Sequence, residues 1–311
     1  MITTVTLNAA IDKTYFMKRV EMGKVLRVPS VIADAGGKGI NAARVLKLLG
    51  CDVTATGFLG GHNGRFIAAE LDKHSIKNDF VQVEEESRLA LTIIDESTGR
   101  STELIEPGPR IMEEQIDAMK CKIAELAARS RIVTFNGSLP AGVPADLYAD
   151  LIGIAKNEGA IVFLDASGEA LKLAVHAQPD LIKPNEDEAA GLFGERVGAD
   201  EEVDWTAKLA AVSRLGIGCV IVSLGAKGAA VLWDGAAYRV HVPVIKAVNP
   251  VGSGDSFVAG LAAGIADGRS PEECLKLAAA AGSANALNER AGYVRLDEVA
   301  NLKQQVRIER V

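Results

Sequence analysis

The feature that most constrains this chain is a recurring unit: a short apolar run, a glycine-rich or polar turn, then an amphipathic helical stretch. It repeats from about residue 52 onward. Residues 53–58 lead into Gly60-Gly61-His62-Asn63-Gly64 and a helical pattern through Lys73. Residues 132–135 lead into Asn136-Gly137-Ser138-Leu139-Pro140, and residues 161–164 into Asp165-Ala166-Ser167-Gly168. Leu181 and Ile182 run into Lys183-Pro184-Asn185, and residues 220–222 into Ser223-Leu224-Gly225. Strands alternating with helices predict an α/β fold, a doubly wound and mostly parallel sheet between helices. Ligands of such sheets bind beyond the carboxyl ends of the strands. Those ends carry Asn136, Ser138, Asp165, Lys183, Asn185 and Ser223, so one sheet edge is expected to form an active-site rim.

Two stretches break the pattern. Residues 15–32 and 89–105 read as β with no helix between strands, and Glu96-Ser97-Thr98-Gly99-Arg100 reads as a hairpin turn. They predict a small β-sheet lid, formed from about residues 13–34 and 88–106. A partly apolar exposed sheet calls for a partner, so a homodimer through the lid is expected. No linker, repeat or low-complexity segment divides residues 1–311, which read as a single domain.

Composition narrows the function classes. Aromatics are 5% of the chain and hydrophobic residues 48%, so the core is aliphatic. A net charge of -7 argues against nonspecific nucleic-acid binding, which needs a positive face. It leaves room for a local positive pocket. Cys51, Cys121, Cys219 and Cys274 form no C-x-x-C and read as thiols of a reducing cytosol. The longest apolar stretch, residues 257–266, is too short to span a bilayer, and the chain opens on a strand-like run. A cytoplasmic protein without membrane partners is expected.

Four segments carry chemistry. Gly252-Ser253-Gly254-Asp255 precedes a helical pattern, so backbone N–H groups and the helix dipole can surround an anion. Asp255 beside them can accept a hydroxyl proton; a plain helix cap is an equal rival. Ala35-Gly36-Gly37-Lys38-Gly39-Ile40-Asn41 can cradle a sugar or phosphate, or be an ordinary strand–helix turn. It is not a Walker A loop, since Gly39 follows Lys38. Asn185 and Glu188 share a helix-start face, suited to water-mediated Mg²⁺ or to a capping box. Ser223-Leu224-Gly225-Ala226-Lys227-Gly228 can cover nucleotide phosphates or form a hairpin turn. No G-x-G-x-x-G follows the first strand, which counts against a Rossmann oxidoreductase. The four histidines form no metal-binding pattern.

Taken in order, these segments resemble the ribokinase/PfkB carbohydrate kinase family over nearly the whole chain. Gly36-Gly37-Lys38-Gly39-Ile40-Asn41 and Val251-Gly252-Ser253-Gly254-Asp255-Ser256 resemble its two signatures. Thr6-Leu7-Asn8-Ala9-Ala10-Ile11-Asp12 resembles the branch acting on hexose phosphates, which includes tagatose-6-phosphate kinase and 1-phosphofructokinase. The resemblance implies a ribokinase-like fold and ATP-dependent phosphorylation of a ketohexose monophosphate. It implies Asp255 as base and the amides of Gly252, Ser253 and Gly254 as anion hole. Asp12, Gly36, Gly37, Lys38 and Asn41 would contact the sugar, with Arg88, Ser138 and Arg27 or Lys24 at its phosphate. Lys183, Asn185, Ser223, Gly225 and Gly228 would hold ATP, with Mg²⁺ at Glu188. The alternatives are a kinase of an unphosphorylated sugar or nucleoside, for which Arg88 has no use, and a non-catalytic sugar-phosphate sensor, which has no need of Asp255. Many relatives carry Asp-Thr in a cation-binding region where this chain has Asn249-Pro250. Potassium activation is therefore not expected here.

Overall fold

The computed structural model describes residues 1–193 and 205–311. The middle of its large sheet is parallel, in the order Cys219–Ser223, Leu181–Ile182, Ile161–Asp165, Ile132–Asn136, Ile2–Thr6, Val53–Gly60. Lys77–Asn78 and Val81–Val83 add parallel partners to Val53–Gly60. Antiparallel strands Ala229–Trp233, Ala236–His241 and Arg307–Arg310 extend the opposite edge. The predicted parallel sheet is thus its centre. The antiparallel edge follows from local turn chemistry: Asp234 and Gly235 both take positive φ, as a two-residue hairpin requires.

Alternation along the strands builds two cores. Cys219 and Ile221 point into one, Val220 and Val222 into the other; Phe163 opposes Val162 and Leu164 in the same way. The helices Lys38–Leu48, Gly61–Lys73, Ser253–Ala266, Pro271–Ala286 and Leu296–Gln305 cover the first face. Glu113–Ala127, Leu147–Asn157, Gly168–Ala174, Glu186–Phe193 and Trp205–Ser213 cover the second.

A separate four-stranded sheet runs in the order Ser30–Gly36, Ala10–Met17, Arg88–Asp95, Arg100–Ile105. Only the Ala10–Met17/Arg88–Asp95 pair is parallel. The expected segments are there, and the hairpin turns through Gly99 at φ 66. The expectation of β structure across 15–32 is corrected: residues 18–29 form no strand. Gly23 turns the chain at φ 75, and Pro29 offers no N–H to a ladder. The sheet also reaches deeper than expected, from Ala10 to Gly36, joining the body directly at the Lys38–Leu48 helix.

The Ser253–Ala266 helix is placed by an unusually close crossing. A Cβ on Gly260 would stand 2.8 Å from both the Ala278 Cα and the Leu277 carbonyl oxygen of Pro271–Ala286. One on Gly264 would stand 2.9 Å from Cys274 Sγ. Ser270 caps the second helix by accepting from Glu273 N–H, with Pro271 at the first helical position. Gly260→Val recovers only a few tenths of a kcal/mol of helix propensity and drives a side chain into backbone, at about 2–4 kcal/mol. A denaturant titration should show the midpoint falling accordingly; an unchanged midpoint would mean that the helices can separate freely.

Candidate active site

Two clefts meet at the start of the Ser253–Ala266 helix. The first, about 410 Å³, lies between the carboxyl edge of the large sheet and one face of the small one. Asp12, Gly37, Lys38, Asn41, Arg88 and Ser138 line it, with Gly252 and Asp255 at its floor. The second, about 390 Å³, is bounded by Ser223, Gly225, Gly228 and an apolar wall including Val242, Ile245 and Phe257. Ser253 and Gly254 face this second cleft. One helix turn therefore borders both.

That turn is built for an anion. Gly252 sits at φ 81, and a Cβ there would be 2.8 Å from Gly292 N, so only glycine fits. The amides of Gly252, Gly254 and Asp255 meet no acceptor among the described residues. The predicted hole needs one correction: Ser253 N–H is taken by the Pro250 carbonyl at 3.2 Å. Asp255 itself supplies the third free amide.

The Asp255 carboxyl is 8% exposed and accepts from Asn41 Nδ2 at 2.9 Å. Burial pushes its pKa up to about 6, helped by repulsion from Asp165 and opposed by Lys38, the Asn41 hydrogen bond and Lys183. Lys38 Nζ lies 2.8 Å from Asp165 Oδ1 and 3.4 Å from Glu188 Oε1. Burial disfavours the Lys38 charge, but Asp165, Glu188 and Asp255 outweigh it and raise its pKa. Lys183 Nζ meets Asp165 Oδ2 at 3.2 Å. Burial would raise the Asp165 pKa, yet Lys183 and Lys38 hold it below the usual range.

In the first cleft, a Cβ at Gly36 would collide with the Asp12 carboxylate, so this glycine makes room for it. Burial pushes Asp12 up to about 6, against Arg44, Arg88 and the Gly37 amide. Arg88 donates from Nε to Asn8 O at 3.1 Å and from Nη1 to Glu106 O at 3.3 Å. These bonds aim it along the cleft wall, and burial holds its pKa below the ordinary value. Ser138 Oγ accepts from Asn8 Nδ2 at 3.3 Å. Arg27 is not brought to the site. It and Lys24 lie exposed on the 18–29 loop and line neither cleft, because that segment leaves the sheet.

At the second cleft, Ser223, Gly225 and Gly228 line the wall, and the same segment forms the hairpin turn to Ala229–Trp233. Lys183 does not line that cleft. It is buried beneath the helix start, 3.5 Å from where a Gly254 Cβ would stand. Asn185 and Glu188 make a reciprocal capping box, each backbone N–H donating to the other side chain at 2.8 Å. The other Glu188 oxygen remains directed at Lys38.

Arg44 and the apolar wall are absent from the expected set, and Asp165 was expected only as part of the rim, with no assigned partner. Asp165 joins the two lysines; its signal was its place at a strand end. Arg44 supports Asn41, and its signal was a charge inside the apolar run Ile40–Leu46. The apolar wall around 242–247 had no periodic signal at all.

Asn249 is buried and donates from Nδ2 to Glu289 O at 2.9 Å, while its Oδ1 accepts from Val251 N–H at 3.0 Å. An amide hydrogen thus occupies the Glu289 carbonyl and puts a donor where a cation would need an acceptor. Turnover in KCl and in choline chloride at equal ionic strength should agree within about twofold; strong potassium activation would show that the amide does not serve this bridge.

The pfkB family carbohydrate kinase description matches residues 5–297. The chain is 38% identical to tagatose-6-phosphate kinase of Staphylococcus epidermidis, covering 99% of each. Among solved structures, it superposes on phosphofructokinase-2 of Escherichia coli in complex with substrates and products at TM-score 0.92, with 27% identity over 98% of each chain. Ribokinase of Arabidopsis thaliana, at 24% identity over 97% of this chain and 98% of that one, shares the fold at TM-score 0.79. Glycine-rich helix start, buried carboxyl and paired clefts agree with that match: the chain belongs to the pfkB family of carbohydrate kinases.

Proposed function

We propose that this chain transfers the γ-phosphoryl group of ATP to a hydroxyl of a ketohexose monophosphate, tagatose 6-phosphate or fructose 1-phosphate, giving a bisphosphate and ADP. The observation that carries the reading is the position of Asp255, a carboxyl raised to about 6 on the one turn that borders both clefts. The likeness to tagatose-6-phosphate kinase supports the acceptor class.

The sugar phosphate occupies the first cleft, with Asp12 on its hydroxyls and Arg88 on its phosphate. A guanidinium suits that task because its fork meets two phosphate oxygens. ATP enters the second cleft, its base against the apolar wall and its phosphates toward the helix start. Asp255 takes the proton of the acceptor hydroxyl. That oxygen forms a bond to the γ-phosphorus while the bond to the β-phosphate oxygen breaks. The free amides of Gly252, Gly254 and Asp255, with the helix dipole, take the charge on the moving group. Lys38 and Lys183 add positive potential beside it.

Magnesium enters on ATP. Among the described residues, no three His, Cys, Asp or Glu side chains converge to hold a metal ion. Mg²⁺ needs only one or two carboxylates beside phosphate oxygens and water, and Glu188 supplies one at the cleft wall. The ion would neutralise charge on the β and γ oxygens.

The small sheet acts as a lid. Its cleft face carries Asp12, Thr14, Ala90, Thr92 and Glu103. By strand register its other face carries Tyr15, Val31, Leu91, Ile93 and Leu104. Val31 and Leu104 are more than half exposed, which supports a second copy of the chain as their cover. Four free cysteines, and no described helix long and apolar enough to cross a membrane, support a place in the cytoplasm.

ADP release measured across fructose 1-phosphate, fructose 6-phosphate, tagatose 6-phosphate and free sugars tests the reading. Asp255→Asn should lose about 10²–10⁴ of kcat while ATP binding persists. Because the base works ionised, wild-type kcat should rise with pH through about 6 and then level. Turnover by the Asn variant within a few fold of wild type, or a flat profile from pH 5 to 7, would remove Asp255 from the base role.

Arg88→Ala should raise KM for the sugar phosphate about 10–100-fold and leave KM for ATP within twofold. Equal turnover of free and phosphorylated sugars would instead favour a neutral-sugar kinase.

A further inference from the structure

Behind the base lies a cation in the apolar interior. Arg44 is 2% exposed, on the inward face of the Lys38–Leu48 helix between Ala43 and Val45. No carboxylate lies within ion-pair distance of it among the described residues. Burying a guanidinium with no carboxylate in direct contact is costly, and a leucine would serve the packing better. The charge therefore calls for a purpose beyond the core.

Its partners are oxygens. Nη1 donates to Asn41 Oδ1 at 3.1 Å and to Ala291 O at 3.0 Å; Nη2 donates to Ala35 O. The Tyr293 ring covers it, 4.7 Å from its Cζ, and Arg290 stands over the same ring at 5.4 Å. Tyr293 Oη is 2.9 Å from His74 Nε2, and Arg290 pairs with Asp34 at 3.0 Å.

We propose that Arg44 is the positioning residue that fixes which end of the Asn41 amide faces Asp255. A guanidinium has donors only. It can engage Asn41 only through Oδ1, and this turns Nδ2 toward Asp255 Oδ2 at 2.9 Å. The reversed amide would set Oδ1 against the carboxylate and Nδ2 against the guanidinium, unfavourable at both ends. With Oδ2 engaged by Asn41, Oδ1 of Asp255 is the oxygen left to take the hydroxyl proton. The same Nη1 pins Ala291 in the loop against which Gly252 packs, so the anion-binding turn and the base share one anchor. Arg44 also counts among the cations that oppose the rise of the Asp12 pKa.

This inference rests on Asp255 being the base of the proposed kinase. Its test is a double-mutant cycle on Arg44→Met, which removes every donor, and Asn41→Ala, with kcat, KM for ATP and melting temperature measured for each variant. Each single variant should lose about 10–100-fold in kcat with KM for ATP within twofold. The double variant should fall no further than the worse single, since Arg44 acts through Asn41. Losses that multiply, or wild-type kcat in Arg44→Met, overturn the assignment. Should Arg44→Met fail to fold, Tyr293→Leu uncovers the guanidinium without removing it. Its kcat loss should vanish in the Asn41→Ala background, and persistence there overturns the assignment equally. A wild-type chain inert on every hexose phosphate would overturn both the kinase reading and this one; an active wild type with multiplying losses overturns this one alone.

Discussion

Asp165 lies buried at the end of the central Ile161–Asp165 strand, between two ammonium groups, and the geometry of both clefts depends on that pairing. One of its oxygens holds Lys38, which begins the helix leading away from the small sheet. The other holds Lys183, which ends the neighbouring strand beneath the anion-binding turn. Removing the carboxylate would leave two cations facing each other. Breaking a buried pair in this way costs about 3–5 kcal/mol, whereas replacing the whole cluster by apolar residues is often neutral. The cluster is therefore better explained by what it positions than by what it stabilises. It keeps positive charge at the junction of the two clefts, and its negative charge helps raise the pKa of Asp255.

That arrangement sets function against stability. Asp255 and Asp12 both titrate near 6 in the folded chain, above the ordinary value of 3.8. A carboxyl whose pKa rises on folding stabilises the fold while protonated, and that contribution is lost as pH climbs through the folded pKa. Each therefore costs about 3 kcal/mol of folding free energy once ionised. The close helix crossing at Gly260 and the two aliphatic cores must offset this. They also explain why Asp255 can be held in place: the turn that carries it begins a helix fixed against Pro271–Ala286 at backbone contact.

Much of this was legible in local sequence, because local sequence governs it. Short apolar runs ending in polar residues located the strand ends, and the glycines before Asp255 marked a helix start. The destination of Lys183 was not legible. Its approach to Asp165 follows from the pairing of Leu164 with Ile182, a register between segments separated in the chain. Arg27 lies away from both clefts for the opposite reason: no strand pairing extends through residues 18–29, so the alternation there never became a strand. The Asp234-Gly235 hairpin carried a readable turn signal, but the apolar wall at 242–247 has irregular backbone and no period to read.

Arg44 shows what kind of signal lies between these extremes. A single charge inside an apolar helix face breaks the local pattern, and such breaks mark places where sequence serves something other than packing. The sequence alone cannot say which atoms the charge meets. The structure supplies three carbonyl-type oxygens and an aromatic face, and all of them belong to segments that bound the first cleft: the end of the small sheet at Ala35, the helix at Asn41, and the loop at Ala291 and Tyr293. A guanidinium can bridge three segments because its donors are fixed in one plane; a lysine in the same place has a single nitrogen to share. The exception in the pattern is thus the residue through which the small sheet, the Lys38–Leu48 helix and the turn at Asp255 keep a common geometry.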